Sequence, residues 1–150
     1  MIAGVVIKKL KKHSDERGYL MEIFRHDELD LAVAMAYLSL TLPGVKRGPH
    51  EHVYQSDYFI FPGPGEFKLV LWDRRPESKT KGVKQELLVG ETNPCTVLVP
   101  PGVVHGYQCV SAVPALSINF PDKLYRGLNK GEEIDEIRWE ERADSPYQLD

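Results

Sequence analysis

Nine short runs of β-branched and aromatic residues, each ended by a turn, limit this chain to an all-β fold. They are AGVVIKKL (3–10), YLMEIFR (19–25), AMAYLSLTL (34–42), DYFIF (57–61), EFKLVLW (66–72), QELLV (85–89), CTVLVP (95–100), YQCVSA (107–112) and ALSINF (115–120). Between them lie SDERG, LPGVKRGP, PGPGE, RRPESKTKG, GETNP, PPGVVHG and SAVP, rich in the Gly, Pro, Asp and Asn that tight turns need. Strands this short and this evenly spaced predict a sandwich or barrel, and a closed jelly roll leaves the fewest exposed edges. Helical signals are few: DELDLAVAMA (27–36) and GEEIDEIRWEE (131–141) predict short helical turns near the N- and C-termini. Neither is long enough to drive a crossover architecture.

At 150 residues the chain has the size of a single domain, and 42% hydrophobic with 27% charged residues is ordinary globular composition. The net charge of −3 and the single basic run KKLKK (8–12) exclude the dense cationic stripe of a nucleic-acid binder. The lysines read as solvated guards on a strand edge. Residues 131–150 hold eight acids and two bases, so the body of the chain is net positive and suits an anionic small ligand. Cys95 and Cys109 lie in apolar runs without metal spacing and read as buried thiols. No stretch has the length of a membrane span and no leader is recognised, so the expected compartment is the cytoplasm, with no membrane partner.

Three polar groups stand out against the apolar strands. They are Asp15, Arg17 and Glu22; Arg47, His50, His52, Gln55 and Asp57; and His105. Residues two apart on a strand share a face, so His50 and His52 point the same way if their segment is extended. Two imidazoles beside an arginine are costly inside a barrel without a ligand or partner. Two chemistries use such a set: binding of a metal ion, or proton transfer through an imidazole that titrates near neutrality. His13 and His26 sit in polar turns and read as surface residues, and Asp73 with Arg75 reads as an ion pair at a strand end.

The spacing Gly44, His50-x-His52, Asp57, Gly63 and then Pro100-x-Gly102-x-x-His105 resembles the two motifs of the cupin superfamily, which implies a double-stranded β-helix and, for its metal-binding members, one divalent transition ion that His50, His52, Asp57 and His105 would hold. A longer resemblance runs over residues 14 to 139. DERGYLMEIF, GVKRGPH, WDRRPESKTKG, VPPGVVHGYQCVS and IRW match, in order and spacing, the blocks of the nucleotide-sugar epimerases typified by dTDP-4-dehydrorhamnose 3,5-epimerase. Those are metal-free cupins.

This resemblance implies an isomerase of a nucleotide-diphosphate 4-keto-6-deoxy sugar, with no cofactor. His50 takes the position of the base that removes the acidic proton beside the keto group. Arg17, Glu22, Arg47, His52, Gln55, His105, Asn119 and Tyr125 become substrate-binding residues, the arginines suiting diphosphate and sugar oxygens. Asp57 stands where the family usually has lysine, and is a candidate to orient a histidine. Asn119 stands near the family's proton-donating tyrosine. The sugar 3,4-ketoisomerases, similar in Arg-Gly-x-His-x-His, point to Tyr37 as the donor instead. A homodimer is implied, in which each N-terminal strand, with Arg17 and Glu22, borders the partner's pocket.

Overall fold

The computed structural model describes residues 1–149, and two five-stranded antiparallel sheets lie face to face in it. The strands in chain order are β1 (Val6–Lys9), β2 (His13–Asp15), β3 (Gly18–Leu20), β4 (Tyr37–Thr41), β5 (Lys46–Glu51), β6 (Asp57–Phe61), β7 (Glu66–Asp73), β8 (Lys84–Gly90), β9 (Cys95–Val99), β10 (Val103–Cys109), β11 (Ala115–Asn119) and β12 (Ile137–Arg138). One sheet has the order β1-β9-β6-β11-β4, the other β12-β5-β10-β7-β8, and β2 with β3 forms a separate hairpin. From β4 to β7 and again from β8 to β11 successive strands alternate between sheets. That is the jelly roll expected from the sequence.

Period-two alternation decides which side chains enter the barrel. On β6, Phe59 and Phe61 point inward to meet Phe67, Leu69, Leu71, Val97 and Tyr107 in the main core. Their neighbours Tyr58 and Ile60 point outward into a second cluster, covered by Met21, Ile23, Phe24, Leu29 and Leu31. Asp57 shares the inward parity of Phe59, so this carboxylate is carried into the barrel mouth. Cys95 and Cys109 are buried free thiols, and β1, which bears Lys8 and Lys9, is an edge strand.

The expected helix over 27–36 does not form. Leu29 and Leu31 sit two apart, a strand-like and not a helical spacing, and they drape over the outer face of β6 and β9, with Ala34 N–H donating to the Pro121 carbonyl. Only the first residues of the run 19–25 are in a strand, and the rest joins the same cover. Near the C-terminus a single 3-10 turn spans Leu128–Lys130, ahead of the stretch 131–141 where a turn was expected. That stretch instead supplies β12, which pairs with β5. Strand β5 itself runs through a segment that reads as a turn, because Gly48 with φ 76° and a bulge between His105 and Tyr107 let a strand pass where Gly and Pro suggested a bend.

Candidate active site

His50 is the last residue but one of β5, opposite His105 on β10, and His52 follows directly after the strand. The bulge turns the His50 ring towards His105, with ring centres 4.5 Å apart. Gly48 is required there: a Cβ on it would lie 2.8 Å from the His105 carbonyl and 3.1 Å from His50 Nδ1. Asp57, first residue of β6, reaches in from the other sheet. Its Oδ2 is 3.1 Å from His52 Nε2 and 3.2 Å from His105 Nε2. Gln55 Nε2 and Asn119 Nδ2 donate to its Oδ1 at 2.9 and 2.8 Å. Asn119 also donates to the Tyr37 hydroxyl at 2.9 Å.

The histidines are anchored from behind. His105 Nδ1 is 3.0 Å from the Val103 carbonyl, and His52 Nδ1 contacts the Asp135 carbonyl. The Asp135 carboxylate then caps the loop, accepting from the backbone N–H groups of Val53, Tyr54 and Gln55 at 2.9 Å each. Behind β5, the buried Glu51 accepts from Arg74 at 2.7 Å and from Trp139 at 3.2 Å, which fastens β12 and so places Glu136 beside the site. Glu136 Oε1 lies 3.7 Å from His50 Nδ1, and its other oxygen accepts from Arg138 Nε at 2.9 Å.

Burial and charge set these groups apart from one another. Burial, and then repulsion from His105 and His52, keeps the His50 imidazole well below its ordinary range, so it is neutral and able to accept a proton. For His52 burial acts downward, but contact with the Asp57 carboxylate outweighs it and pushes the ring up to about 9. Burial alone would raise Asp57; attraction to His105 and His52 overcomes it and holds the carboxyl well below its usual range. Tyr37 is 43% exposed as a residue, yet its hydroxyl reaches Asn119, and burial followed by the Asp57 charge pushes the phenol up, so it stays protonated.

Two clefts open from this wall, of about 770 and 860 Å3. Tyr37, Arg47, His50, Glu136 and Arg138 line both, so His50 stands where the two meet. Arg47 is held by Thr41 Oγ1 at 2.9 Å and the Leu40 carbonyl at 3.2 Å, which leaves other donors of its guanidinium for an anion. Tyr125 lines the larger cleft, as do His50 and His52.

The structure therefore gathers Tyr37, Arg47, His50, His52, Gln55, Asp57, His105 and Asn119 into one site. Arg17 and Glu22 do not join it within one chain: Arg17 pairs with Asp15 on the exposed hairpin, and Glu22 with Arg25 at 3.1 Å. Asp73 forms the structural pair expected of it. Its carboxylate takes Arg75 at 2.8 Å and the Ser78 and Thr80 hydroxyls at 2.6 Å, while Arg75 holds the Ala3 carbonyl at 2.6 Å. Sequence reasoning missed Asp135 and Glu136, two residues inside an acidic run with nothing local to distinguish them, and gave no site role to Arg138, although it lies in the matching block IRW.

The family model described as dTDP-4-dehydrorhamnose 3,5-epimerase matches residues 1–142. This chain belongs to that family. It is 43% identical over 126 residues to the spore coat polysaccharide biosynthesis protein SpsL of Bacillus subtilis, a match covering 83% of each chain. It is 35% identical over 127 residues to the "Probable low-salt glycan biosynthesis epimerase Agl13" of Haloferax volcanii, covering 83% of this chain and 81% of that one. The crystal structure of a dTDP sugar isomerase from Desulfovibrio desulfuricans superposes with a TM-score of 0.84 over 98% of this chain and 91% of that chain, at 24% identity. The shared jelly roll is the cupin-like fold expected from the sequence. Among the described residues no helix is long and apolar enough to cross a membrane.

Proposed function

We propose that the chain is an epimerase of a nucleotide-linked 4-keto-6-deoxy sugar, and that His50 is its base. Family membership supports the substrate class, and one observation carries the residue assignment: a neutral, buried imidazole stands where two clefts join, facing the same space as Arg47 and the Tyr37 hydroxyl. The C–H bond next to the sugar ketone breaks, its proton goes to His50, and the electron pair moves into the enolate. Tyr37 returns a proton to the same carbon from the other face, inverting it, and solvent then takes the extra proton from His50 and reprotonates the Tyr37 phenolate. Arg47 binds the diphosphate or the sugar oxygens, and Glu136 steadies His50 Nδ1.

Arg17 and Glu22 serve the partner's site in a homodimer, and the protein works in the cytoplasm without a membrane partner. A 3,4-ketoisomerase reading is favoured by one contact, the Asn119 bond that aims the Tyr37 hydroxyl, since that donor sits on the strand before Arg-Gly-x-His-x-His.

Solvent deuterium entering a dTDP-linked 4-keto-6-deoxy sugar tests the proposal. Wild-type protein catalyses exchange next to the ketone, and His50→Ala abolishes it. Absence of exchange with wild type, or undiminished exchange with His50→Ala, overturns it. NMR of the product separates epimerisation from migration of the ketone.

A further inference from the structure

Asn119, the last residue of β11, pairs directly with Tyr37, the first residue of β4, so their side chains leave the sheet on the same face. That face is the inner one, and Asp57 reaches it from the neighbouring strand β6. Asn119 is 1% exposed and has no place among the described residues that line the two clefts, whereas Tyr37 lines both. A substrate in the clefts does not meet Asn119, so this residue acts through the two side chains to which it donates.

Those two contacts fix the direction of every hydrogen. Asp57 Oδ1 belongs to an ionised carboxylate and only accepts, so the Asn119 atom 2.8 Å from it is the amide nitrogen. Turning the amide over would set Asn119 Oδ1 against the carboxylate; as it stands, that oxygen is buried and makes no hydrogen bond, which shows that the Asp57 contact decides the orientation. Asp57 is itself held, by Gln55 at 2.9 Å on the same oxygen and by His52 and His105 beside the other. The second amide hydrogen therefore meets the Tyr37 hydroxyl, at 2.9 Å. A phenol oxygen offers one hydrogen and accepts through its lone pairs. With Asn119 donating to it, the Tyr37 hydrogen points away from Asn119, to the side on which the clefts lie.

We propose that Asn119 is a positioning residue that makes Tyr37 a directed proton donor: it turns the phenol hydrogen towards the substrate and then donates to the oxygen left behind. The assignment deepens the reaction proposed for His50 and Tyr37 and rests on it. When Tyr37 protonates the enolate carbon its O–H bond breaks, the proton forms the new C–H bond, and the electron pair stays on the phenolate oxygen. The hydrogen bond from Asn119 strengthens as that oxygen becomes an anion, so its help falls on the step in which the charge appears. The amide also stands between the phenolate and the Asp57 carboxylate, two anions that would otherwise repel each other. Asp57 sets the geometry and takes no proton, and solvent restores the phenol.

Deuterium exchange and inversion, followed together in a dTDP-linked 4-keto-6-deoxy sugar, test it, because a damaged fold lowers both and a misdirected acid lowers only the second. Asn119→Ala is expected to leave exchange next to the ketone nearly unchanged while inversion falls at least about tenfold, the weight of a hydrogen bond to a charged oxygen. Added to Tyr37→Phe, the same substitution costs no more than about a further twofold, since the side chain it acts through is already gone. Circular dichroism checks folding. If Asn119→Ala does not fold, Asn119→Ser takes its place, because a hydroxyl has a single hydrogen to give and Asp57 claims it. Three results overturn the assignment: unchanged inversion, exchange and inversion falling together in a folded variant, or losses that multiply in the double variant. Wild type that exchanges no deuterium, or Tyr37→Phe that inverts as fast as wild type, overturns the underlying reaction instead, and both are read with Asn119 intact.

Discussion

Asp57 Oδ2 faces His105 Nε2 at 3.2 Å, with both side chains no more than 2% exposed, so a carboxylate and an imidazole from opposite sheets tie the mouth of the barrel together. Removing the charge while keeping the shape leaves His105 and His52 without their shared partner. Asp57→Asn is expected to lower stability by about 3 to 5 kcal/mol, the usual cost of breaking a buried charged contact from one side. Urea unfolding measures it. A loss below about 1 kcal/mol would mean that the contact serves ligand binding and not folding.

Gly48 admits no side chain. Its φ is 76°, and an added Cβ meets the His105 carbonyl at 2.8 Å, backbone that cannot swing away. Gly48→Ala is therefore expected to cost about 1 to 3 kcal/mol from the strained conformation alone, and to displace His50, whose Nδ1 lies 3.1 Å from the new carbon. The readouts are thermal unfolding and deuterium exchange into substrate; unchanged exchange would show that the bulge does not position the base.

Asp73 makes stability depend on acid. Hydrogen bonding from Arg75 comes first, and against the opposing effect of burial the Ser78 and Thr80 hydroxyls add to it, so the folded carboxyl titrates well below its unfolded value. A depressed folded value means that the stabilisation is complete above the unfolded carboxylate pKa, near 3.9, and is lost as pH falls from there towards the folded value. Tm plotted against pH should fall less steeply below about pH 4 in Asp73→Asn than in wild type, from a lower starting point. Parallel curves would contradict the assignment.

Glu136 acts on His50 from 3.7 Å, too far for a hydrogen bond in the resting site but close enough to attract the imidazolium once it forms. If His50 is the base, as proposed, Glu136 is a positioning residue. Glu136→Gln is expected to lower kcat by about tenfold or more, with KM little changed, within the span that general-base assistance covers. Steady-state kinetics beside circular dichroism distinguishes this from damage to the fold, which would change Tm as well.

The residues that were legible in the sequence are those whose positions follow from local period. Alternation along β6 put Asp57, Phe59 and Phe61 on one face and Tyr58 and Ile60 on the other. His50-x-His52 declared a shared direction in the same way. Misreadings arose where composition and packing disagree: the acidic, Ala-rich stretch 27–36 has helical residues, but its Leu29 and Leu31 are spaced to cover a sheet. Glu136 and Asp135 were illegible for another reason. Their roles depend on β12 pairing with β5 and on Trp139 reaching Glu51, contacts between segments more than 80 residues apart that no local pattern announces.

The proposed division of proton traffic between Tyr37 and His50 has a consequence that separates their variants. In the proposed mechanism His50 removes the proton from carbon and Tyr37, held neutral by burial and the Asp57 charge, delivers one to the opposite face. Without the phenol the enolate still forms and is reprotonated by His50 on the face it left, so label enters without inversion. Tyr37→Phe is therefore expected to retain solvent deuterium exchange next to the ketone while epimerisation falls by about 10² to 10⁴, the usual contribution of a positioned acid. His50→Ala loses both. Proton NMR of a dTDP-linked 4-keto-6-deoxy sugar in deuterium oxide follows exchange and configuration in one sample. If Tyr37→Phe inverts the carbon as fast as wild type, the acid is another group on the cleft wall.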